Sequence, residues 1–295
     1  MHHFLAMSDL SRREMETLLD RAYLFKGSRS YPDYHGHTLA NLFYENSTRT
    51  RVSFELAAQR LNIPVINLDL ATSSEAKGET ILDTIQNLSA MGIDLFVMRH
   101  QENALQTGLA KAMGASHMIN AGDGTLSHPS QAMLDVMTIL EVCPNLSQCK
   151  VAIVGNIRHS RVANSLQVAF KTLGLGQLML VAPKLWQPET LHYGQVTDNL
   201  REGLRDADIV IVLRVQKERL GQNEVIDFND YREQFAITAE TLKYAKPSVK
   251  VMHPGPINRG VEIDSACVDA SNSLILTQVM NGVFMRMAII EACLG

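Results

Sequence analysis

Apolar positions follow two alternating rhythms along this chain. Leu39, Leu42, Phe43 and Tyr44 read as a buried strand, and Phe54, Ala57, Ala58 and Leu61 then recur at i, i+3, i+4 and i+7, the single face of a helix. Before them, Ser11 and Glu14 form a capping box for a helix whose inner face is Met15, Leu18, Leu19 and Ala22. Further strands are predicted at 63–68, 93–98 and 118–121. They alternate with a helix presenting Ile81, Ile85 and Leu88 and with one that starts at Pro129 and carries Met133, Val136, Met137 and Leu140. Past Pro144-Asn145 a second series opens, with strands expected at 150–155, 177–181, 208–213 and 249–252. The last element is an amphipathic helix over 278–294, with Val283, Met287, Ile290 and Leu294 on one face; Arg286 rides on it, either solvated or functional. Strands alternating with helices imply an α/β protein of two Rossmann-like domains, each a parallel sheet flanked by helices, with ligands gathered at the carboxyl ends of the strands.

Composition narrows the function classes. The 295 residues, 46% of them hydrophobic, can bury a large core and suit two domains. A net charge of −4 gives no overall attraction to nucleic acid or to an anionic membrane. Asp9 interrupts the N-terminal stretch before a signal-peptide core develops, and no later apolar run approaches membrane-spanning length, so a cytoplasmic protein is expected. Cys143, Cys149, Cys267 and Cys293 lack paired Cys-x-x-Cys or His-rich zinc spacing; they read as free buried thiols, and no metal is expected.

Chemistry concentrates first in Ser47-Thr48-Arg49-Thr50-Arg51, placed where the first strand gives way to its helix. Ser47 suits the N-cap, the first N–H groups of a helix lack intrahelical partners, and the macrodipole adds partial positive charge, so an anion is favoured there. Arg49 and Arg51 add charge-assisted hydrogen bonds suited to phosphate. A capped helix with two solvated arginines is the plainer alternative; two arginines and a second threonine within one turn argue against it. Arg99-His100 ends the third strand, and His128-Pro129-Ser130-Gln131 opens the helix after the fourth, so both fall on the cradle's rim. In the second series, Gly155-Asn156-Ile157-Arg158-His159-Ser160-Arg161 lacks Gly-x-Gly-x-x-Gly, which argues against a dinucleotide site despite the Rossmann-like order. Its strand ends instead carry Arg161, then Arg214-Val215-Gln216, then His253-Pro254-Gly255-Pro256. Two arginines and an amide ask for a substrate with two negative charges, because each buried guanidinium needs a carboxylate to offset its desolvation.

With Phe43-Tyr44-Glu45-Asn46 before it and Val52-Ser53-Phe54-Glu55 after, the cradle resembles the carbamoyl-phosphate signature of the aspartate/ornithine carbamoyltransferases. His128-Pro129-x-Gln131 resembles that family's carbonyl-polarising motif, and Ser73-x-x-x-Lys77-Gly78-Glu79-Thr80 its mobile loop, which reaches into a neighbouring subunit's site. Alone, Lys77 would be a solvated loop lysine. Arg214 to Leu220 resembles the aspartate branch, whereas the Ser-Met-Gly and His-Cys-Leu-Pro stretches of the ornithine branch are absent.

The resemblance implies transfer of the carbamoyl group from carbamoyl phosphate to the amine of L-aspartate, giving N-carbamoyl-L-aspartate and phosphate, the committed step of de novo pyrimidine (UMP) biosynthesis. It implies a carbamoyl-phosphate domain over 1–130 with the C-terminal helix 278–295 crossing back to it, and an aspartate domain over 131–277. Ser47, Thr48, Arg49 and Thr50 would hold phosphate together with Arg99, and Arg51 would support them. Thr50, Arg99 and His128 would donate to the carbamoyl oxygen, and Gln131 with the Pro254 region would orient the carbamoyl amino group. Arg161, Arg214 and Gln216, with Ser73 and Lys77 from a neighbouring chain, would clamp aspartate beside Gly255 and Pro256. Arg49, Thr50, Lys77, Arg99 and His128 would carry the catalysis. The resemblance implies no cofactor and a homotrimer with shared sites, and it leaves open a regulatory chain or a dihydroorotase as partner. A carbamoyltransferase for another amine such as ornithine, and a catalytically silent anion-binding α/β protein, are the competing readings.

Overall fold

The computed structural model describes residues 1–69, 77–215 and 227–295, and the chain divides into two compact units, Met1–Leu134 with Val279–Gly295, and Asp135–Gln278. The first unit contains α1 (Arg12–Gly27), β1 (Leu39–Phe43), α2 (Thr48–Arg60), β2 (Val65–Asn67), α3 (Ile81–Ala90), β3 (Leu95–His100), α4 (Leu105–Ala110) and β4 (His117–Asp123). From it α5 (Pro129–Leu140) leads into the second unit, with β5 (Lys150–Val154), α6 (Arg161–Leu173), β6 (Gln177–Val181), β7 (Gln195–Thr197), α7 (Leu200–Leu204), β8 (Ile209–Val212), α8 (Phe228–Phe235), β9 (Lys250–Met252) and α9 (Ser265–Val268). The final helix, α10 (Ile275–Leu294), starts in the second unit and ends in the first, so the chain passes between the units twice. The passages fall after Leu134 and Gln278, inside α5 and α10, a few residues beyond the boundaries expected at 130 and 277.

Both sheets are parallel, ordered β2-β1-β3-β4 and β7-β6-β5-β8-β9. Their central strands are buried almost throughout, as parallel strands covered on both faces must be. The Ser11 capping box forms as expected: the Glu14 N–H donates to the Ser11 hydroxyl and the Ser11 N–H to the Glu14 carboxylate, at 3.3 and 2.8 Å.

Several boundaries move for identifiable reasons. The strand expected over 63–68 is only Val65–Asn67, because the Ile63 N–H bonds back to the Ala58 carbonyl of α2 and Pro64 has no N–H to offer a ladder. The strand expected over 93–98 begins at Leu95, since Ile93 closes the turn after α3, and it runs on to His100 because Arg99 pairs with Phe43 and His100 with Asp123. Edge strand β7 and short α4 carry too little periodicity to be seen in the sequence.

α10 corrects the expectation that no apolar run reaches membrane-spanning length. Its 20 residues are long and apolar enough by length and composition, yet two-thirds of them are buried inside the protein, as in the core helix of a globular domain. Arg286 on α10 is 3% exposed, stacks its guanidinium 5.0 Å from the Phe54 ring and donates to the Gly282 carbonyl at 3.0 Å. It ties α10 to α2 inside the first unit, so the solvated reading does not hold. Cys149, Cys267 and Cys293 are buried free thiols, whereas Cys143 is only half-buried.

Candidate active site

In the first unit, β1, β3 and β4 lie side by side, so the loops leaving their carboxyl ends share one edge. The loop after β1 delivers Ser47 to the N-cap of α2. Its hydroxyl makes no cap hydrogen bond: ψ is 82° at Ser47 against 161° at the capping Ser11, which turns the side chain away from the first-turn N–H groups. The expected serine cap is therefore absent, and a helix start uncapped by side chains is the state an anion site requires. Thr50 is buried, its carbonyl accepting from the Ser53 hydroxyl at 2.9 Å, while Thr48, Arg49 and Arg51 are exposed.

Arg99, at the end of β3, is ion-paired with Glu45 of the cradle loop at 2.9 Å and donates to the Ala121 carbonyl at 3.3 Å. The Tyr44 N–H donates to the Arg99 carbonyl at 2.9 Å, so the cradle loop and the arginine are joined through both backbone and side chain. After β4, the Asp123 carboxylate accepts from the Ser127 N–H at 3.1 Å, and the two residues form a bridge that sets the start of α5. His128, 5% exposed, precedes Pro129; its carbonyl accepts from the Gln131 and Ala132 N–H groups, each at 3.1 Å, and Gln131 is likewise buried. The structure thus brings Ser47, Thr48, Arg49, Thr50, Arg51, Arg99, His128 and Gln131 to one sheet edge of the first unit. Lys77 is exposed, and Ser73 lies outside the described residues.

In the second unit the adjacent strands β5, β8 and β9 carry the remaining candidates at their carboxyl ends. After β5 the chain turns at Gly155, whose φ is +133° and where an added Cβ would lie 2.9 Å from the Leu213 carbonyl oxygen, so glycine is required. Ser160 caps α6 through its hydroxyl, which accepts from the Ala163 N–H at 3.2 Å, and this sets Arg161, 5% exposed, as the first helical residue. Arg214 follows β8 and is half-buried; Gln216 lies outside the described residues. Pro254, Gly255 and Pro256 follow β9.

A buried polar network holds these two loops, and of its members the sequence singles out only His253. Glu262 is 0% exposed and accepts from the Asn258 N–H at 2.5 Å, the Val215 N–H at 3.4 Å and the His253 ring at 3.3 Å. The Gly255 N–H donates to His253 Nδ1 at 2.8 Å, so the ring proton sits on Nε2 and points at Glu262. Asn258 donates to the Val215 carbonyl at 3.0 Å, and Gln278 accepts from the His253 N–H at 2.9 Å while donating to Asp135 at 2.7 Å. Glu45, His253, Glu262, Asn258 and Gln278 therefore position the arginine-bearing segments. Glu45 and His253 fall within motifs visible in the sequence, whereas for Asn258, Glu262 and Gln278 the sequence carries no signal of these partners.

Residues 2–141 match the aspartate/ornithine carbamoyltransferase carbamoyl-P binding domain, and residues 147–293 match the Asp/Orn binding domain of the same family. The aspartate carbamoyltransferase catalytic subunits of Legionella pneumophila strains Corby and Lens are each 57% identical over 296 residues, covering 100% of both chains. Aspartate transcarbamoylase of Trypanosoma cruzi, in a crystal structure with carbamoyl phosphate and aspartate, superimposes with a TM-score of 0.86 at 28% identity, covering 98% of this chain and 95% of that one. Ornithine carbamoyltransferase of Thermus thermophilus superimposes with a TM-score of 0.89 at 25% identity, covering 99% of each chain. Two domain matches spanning nearly all residues, together with full-length identity to the Legionella subunits, establish that the chain belongs to the aspartate/ornithine carbamoyltransferase family.

Proposed function

We propose that the protein transfers the carbamoyl group of carbamoyl phosphate to the amine of L-aspartate, giving N-carbamoyl-L-aspartate and phosphate, the reaction for which its Legionella relatives are named. The observation that carries the choice of acceptor is the pair Arg161 and Arg214, the first opening the helix that follows β5 and the second following the neighbouring strand β8. Two guanidiniums drawn out of water match two carboxylates and repel a cationic side chain such as that of ornithine.

The first unit supplies the carbamoyl-phosphate half of the chemistry. N–H groups and side chains of Ser47, Thr48, Arg49 and Thr50, backed by Arg51, cradle the phosphate, with Arg99 completing the positive rim. As the amine attacks, negative charge grows on the carbamoyl oxygen, and donors from Thr50, Arg99 and His128 stabilise it in place. Gln131 orients the carbamoyl amino group. The second unit holds aspartate through Arg161 and Arg214 beside Pro254, Gly255 and Pro256. Among the described residues no side chain of the site is an obvious general base; the departing phosphate takes the proton of the attacking ammonium, and positioning contributes most of the rate. The protein works in the cytoplasm as a homotrimer in which Lys77 serves the adjacent chain's site.

Arg214→Ala tests the division of labour. Losing one charged hydrogen bond, about 1.5–3 kcal/mol, raises the KM for aspartate roughly 10- to 150-fold. Binding of carbamoyl phosphate, measured by calorimetry, stays unchanged. Loss of carbamoyl-phosphate binding would place Arg214 in the wrong half of the site.

A further inference from the structure

The chain's single tryptophan, Trp186, is fully buried and lies outside every motif that carries the arginines of the second unit. It ends a short 3-10 turn, Lys184–Trp186, that follows β6, and its own N–H closes that turn onto the Pro183 carbonyl at 2.8 Å. On one side this turn holds the loop after β5. The Arg158 N–H donates to the Trp186 carbonyl at 2.9 Å, and the Arg158 guanidinium is ion-paired with Glu189, just beyond Trp186. Arg161 opens α6 directly after that loop.

On the other side the indole packs against α8. The Trp186 and Tyr231 ring centroids are 5.2 Å apart with their planes tilted by 43°, and Tyr231 stacks in turn on Phe235 at 5.6 Å. At such distances aromatic pairs attract beyond the area they bury. α8 is itself fastened to the segment that holds Arg214. Arg232 donates to the Gly260 carbonyl at 2.9 Å and pairs with Asp264 at 2.7 Å, and the Ile237 N–H donates to the Glu262 carbonyl at 3.0 Å. The Glu262 carboxylate in turn accepts from the Val215 N–H, next to Arg214. Trp186 therefore stands where the two arginine-bearing segments meet, joined to the first through its backbone and to the second through its ring. Tyr231 is 1% exposed, and among the described residues its hydroxyl has no hydrogen-bond partner. A buried hydroxyl without a partner costs free energy, so it is the ring of Tyr231 that this joint uses.

We propose that Trp186 is a positioning residue for the acceptor amino acid: its indole, seated on Tyr231, fixes the spacing of Arg161 and Arg214 and registers their loading. The inference rests on the reading of those two arginines as the clamp for aspartate's carboxylates. Two carboxylates joined by a short chain fit two guanidiniums only within a narrow range of separations. A displacement of about 1 Å at such a site can cost on the order of 100-fold. The effect is confined to the acceptor, because Trp186 belongs to the second unit and the anion cradle to the first.

The test follows the binding of succinate, a dicarboxylate that lacks the attacking amine, to the native protein loaded with carbamoyl phosphate, by calorimetry and by tryptophan emission. With one tryptophan in the chain, the emission reports this joint alone. Succinate should change the emission of the carbamoyl-phosphate complex and saturate at the calorimetric Kd. Trp186→Leu should raise the KM for aspartate roughly tenfold or more while carbamoyl-phosphate binding holds. Trp186→Phe, which keeps a ring against Tyr231, should restore most of that loss, and Tyr231→Phe should keep both the KM and the emission change. The inference is overturned if succinate binds without changing the emission, if Trp186→Leu keeps the native KM, if Trp186→Phe falls as far as Trp186→Leu, or if Tyr231→Phe loses the acceptor. Should Trp186→Leu not fold, the emission titration of the native protein decides alone. A native protein that neither binds succinate nor turns over aspartate would instead refute the assignment of the two arginines, and the inference with it.

Discussion

Glu262 is fully buried, and its carboxylate is the common acceptor for the Val215 and Asn258 N–H groups and the His253 ring. Removing one charged partner from such a set leaves donors buried and unmatched, which costs more than the net value of any single bond. Glu262→Gln keeps the shape but turns an amide NH2 towards another donor. It should cost about 1–3 kcal/mol in a denaturant titration. Because Val215 follows Arg214 directly, the KM for aspartate should also rise while carbamoyl-phosphate binding holds. A wild-type midpoint and KM would show that Glu262 positions nothing. Single residues were legible where their chemistry is local: three hydroxyls and two guanidiniums in Ser47–Arg51 announce an anion site without any partner. Glu45 and Glu262 were not, because their partners Arg99 and Val215 lie far along the chain and only the fold brings them together. Arg286 could not be decided from its helix position, since the Phe54 ring it stacks on belongs to a distant helix.

At the scale of elements, the N-terminal segment illustrates what periodicity misses. Phe4 is 1% exposed and bridges β4 in parallel through Phe4 N–H to Met118 and Asn120 N–H to Phe4, at 2.9 and 2.8 Å. One residue earlier, His3 Nδ1 accepts from the Met118 N–H at 3.0 Å, and the rings of His2, His3 and His117 cluster, with centroids 4.1 to 6.5 Å apart. Desolvation, and then the neighbouring His2 and His117, lower the His3 pKa from 6.5 to about 4, with only the Ala110 backbone opposing. The unfolded chain therefore binds more protons than the folded one between these values. Stability is complete above the unfolded value of 6.5 and is lost as pH falls from 6.5 towards 4. Solvent screening at this part-exposed ring holds the loss to about 1 kcal/mol. Thermal melts of the native protein and His3→Asn should diverge across that window, with the flatter profile in the variant; identical slopes would remove His3 from the account. A contact made by one residue of a short segment has no period, so the sequence showed only that Asp9 breaks an apolar run. Long α/β repeats such as β1–α2 were legible because burial on one face imposes a period over many residues.

The whole molecule is two parallel sheets, with the proposed anion cradle after strands of one unit and the proposed aspartate arginines, Arg161 and Arg214, after strands of the other. That division was readable from strand and helix alternation and from the absence of a Gly-x-Gly-x-x-Gly turn. The proposed homotrimer places Lys77 in the adjacent chain of a closed ring. If Arg49→Ala and Lys77→Ala subunits are dissociated, mixed equally and reassembled, roughly a quarter of the sites should draw an intact residue from each chain, and activity should recover towards that fraction. Mixed trimers with no more activity than their parents would confine Lys77 to its own chain. The acceptor is the central claim, because the fold is shared with an ornithine carbamoyltransferase. Phosphate release from carbamoyl phosphate, followed in parallel with aspartate, ornithine and putrescine, tests it most directly. Aspartate alone should support turnover, and faster release with ornithine or putrescine would contradict the assignment of Arg161 and Arg214 to a dicarboxylate.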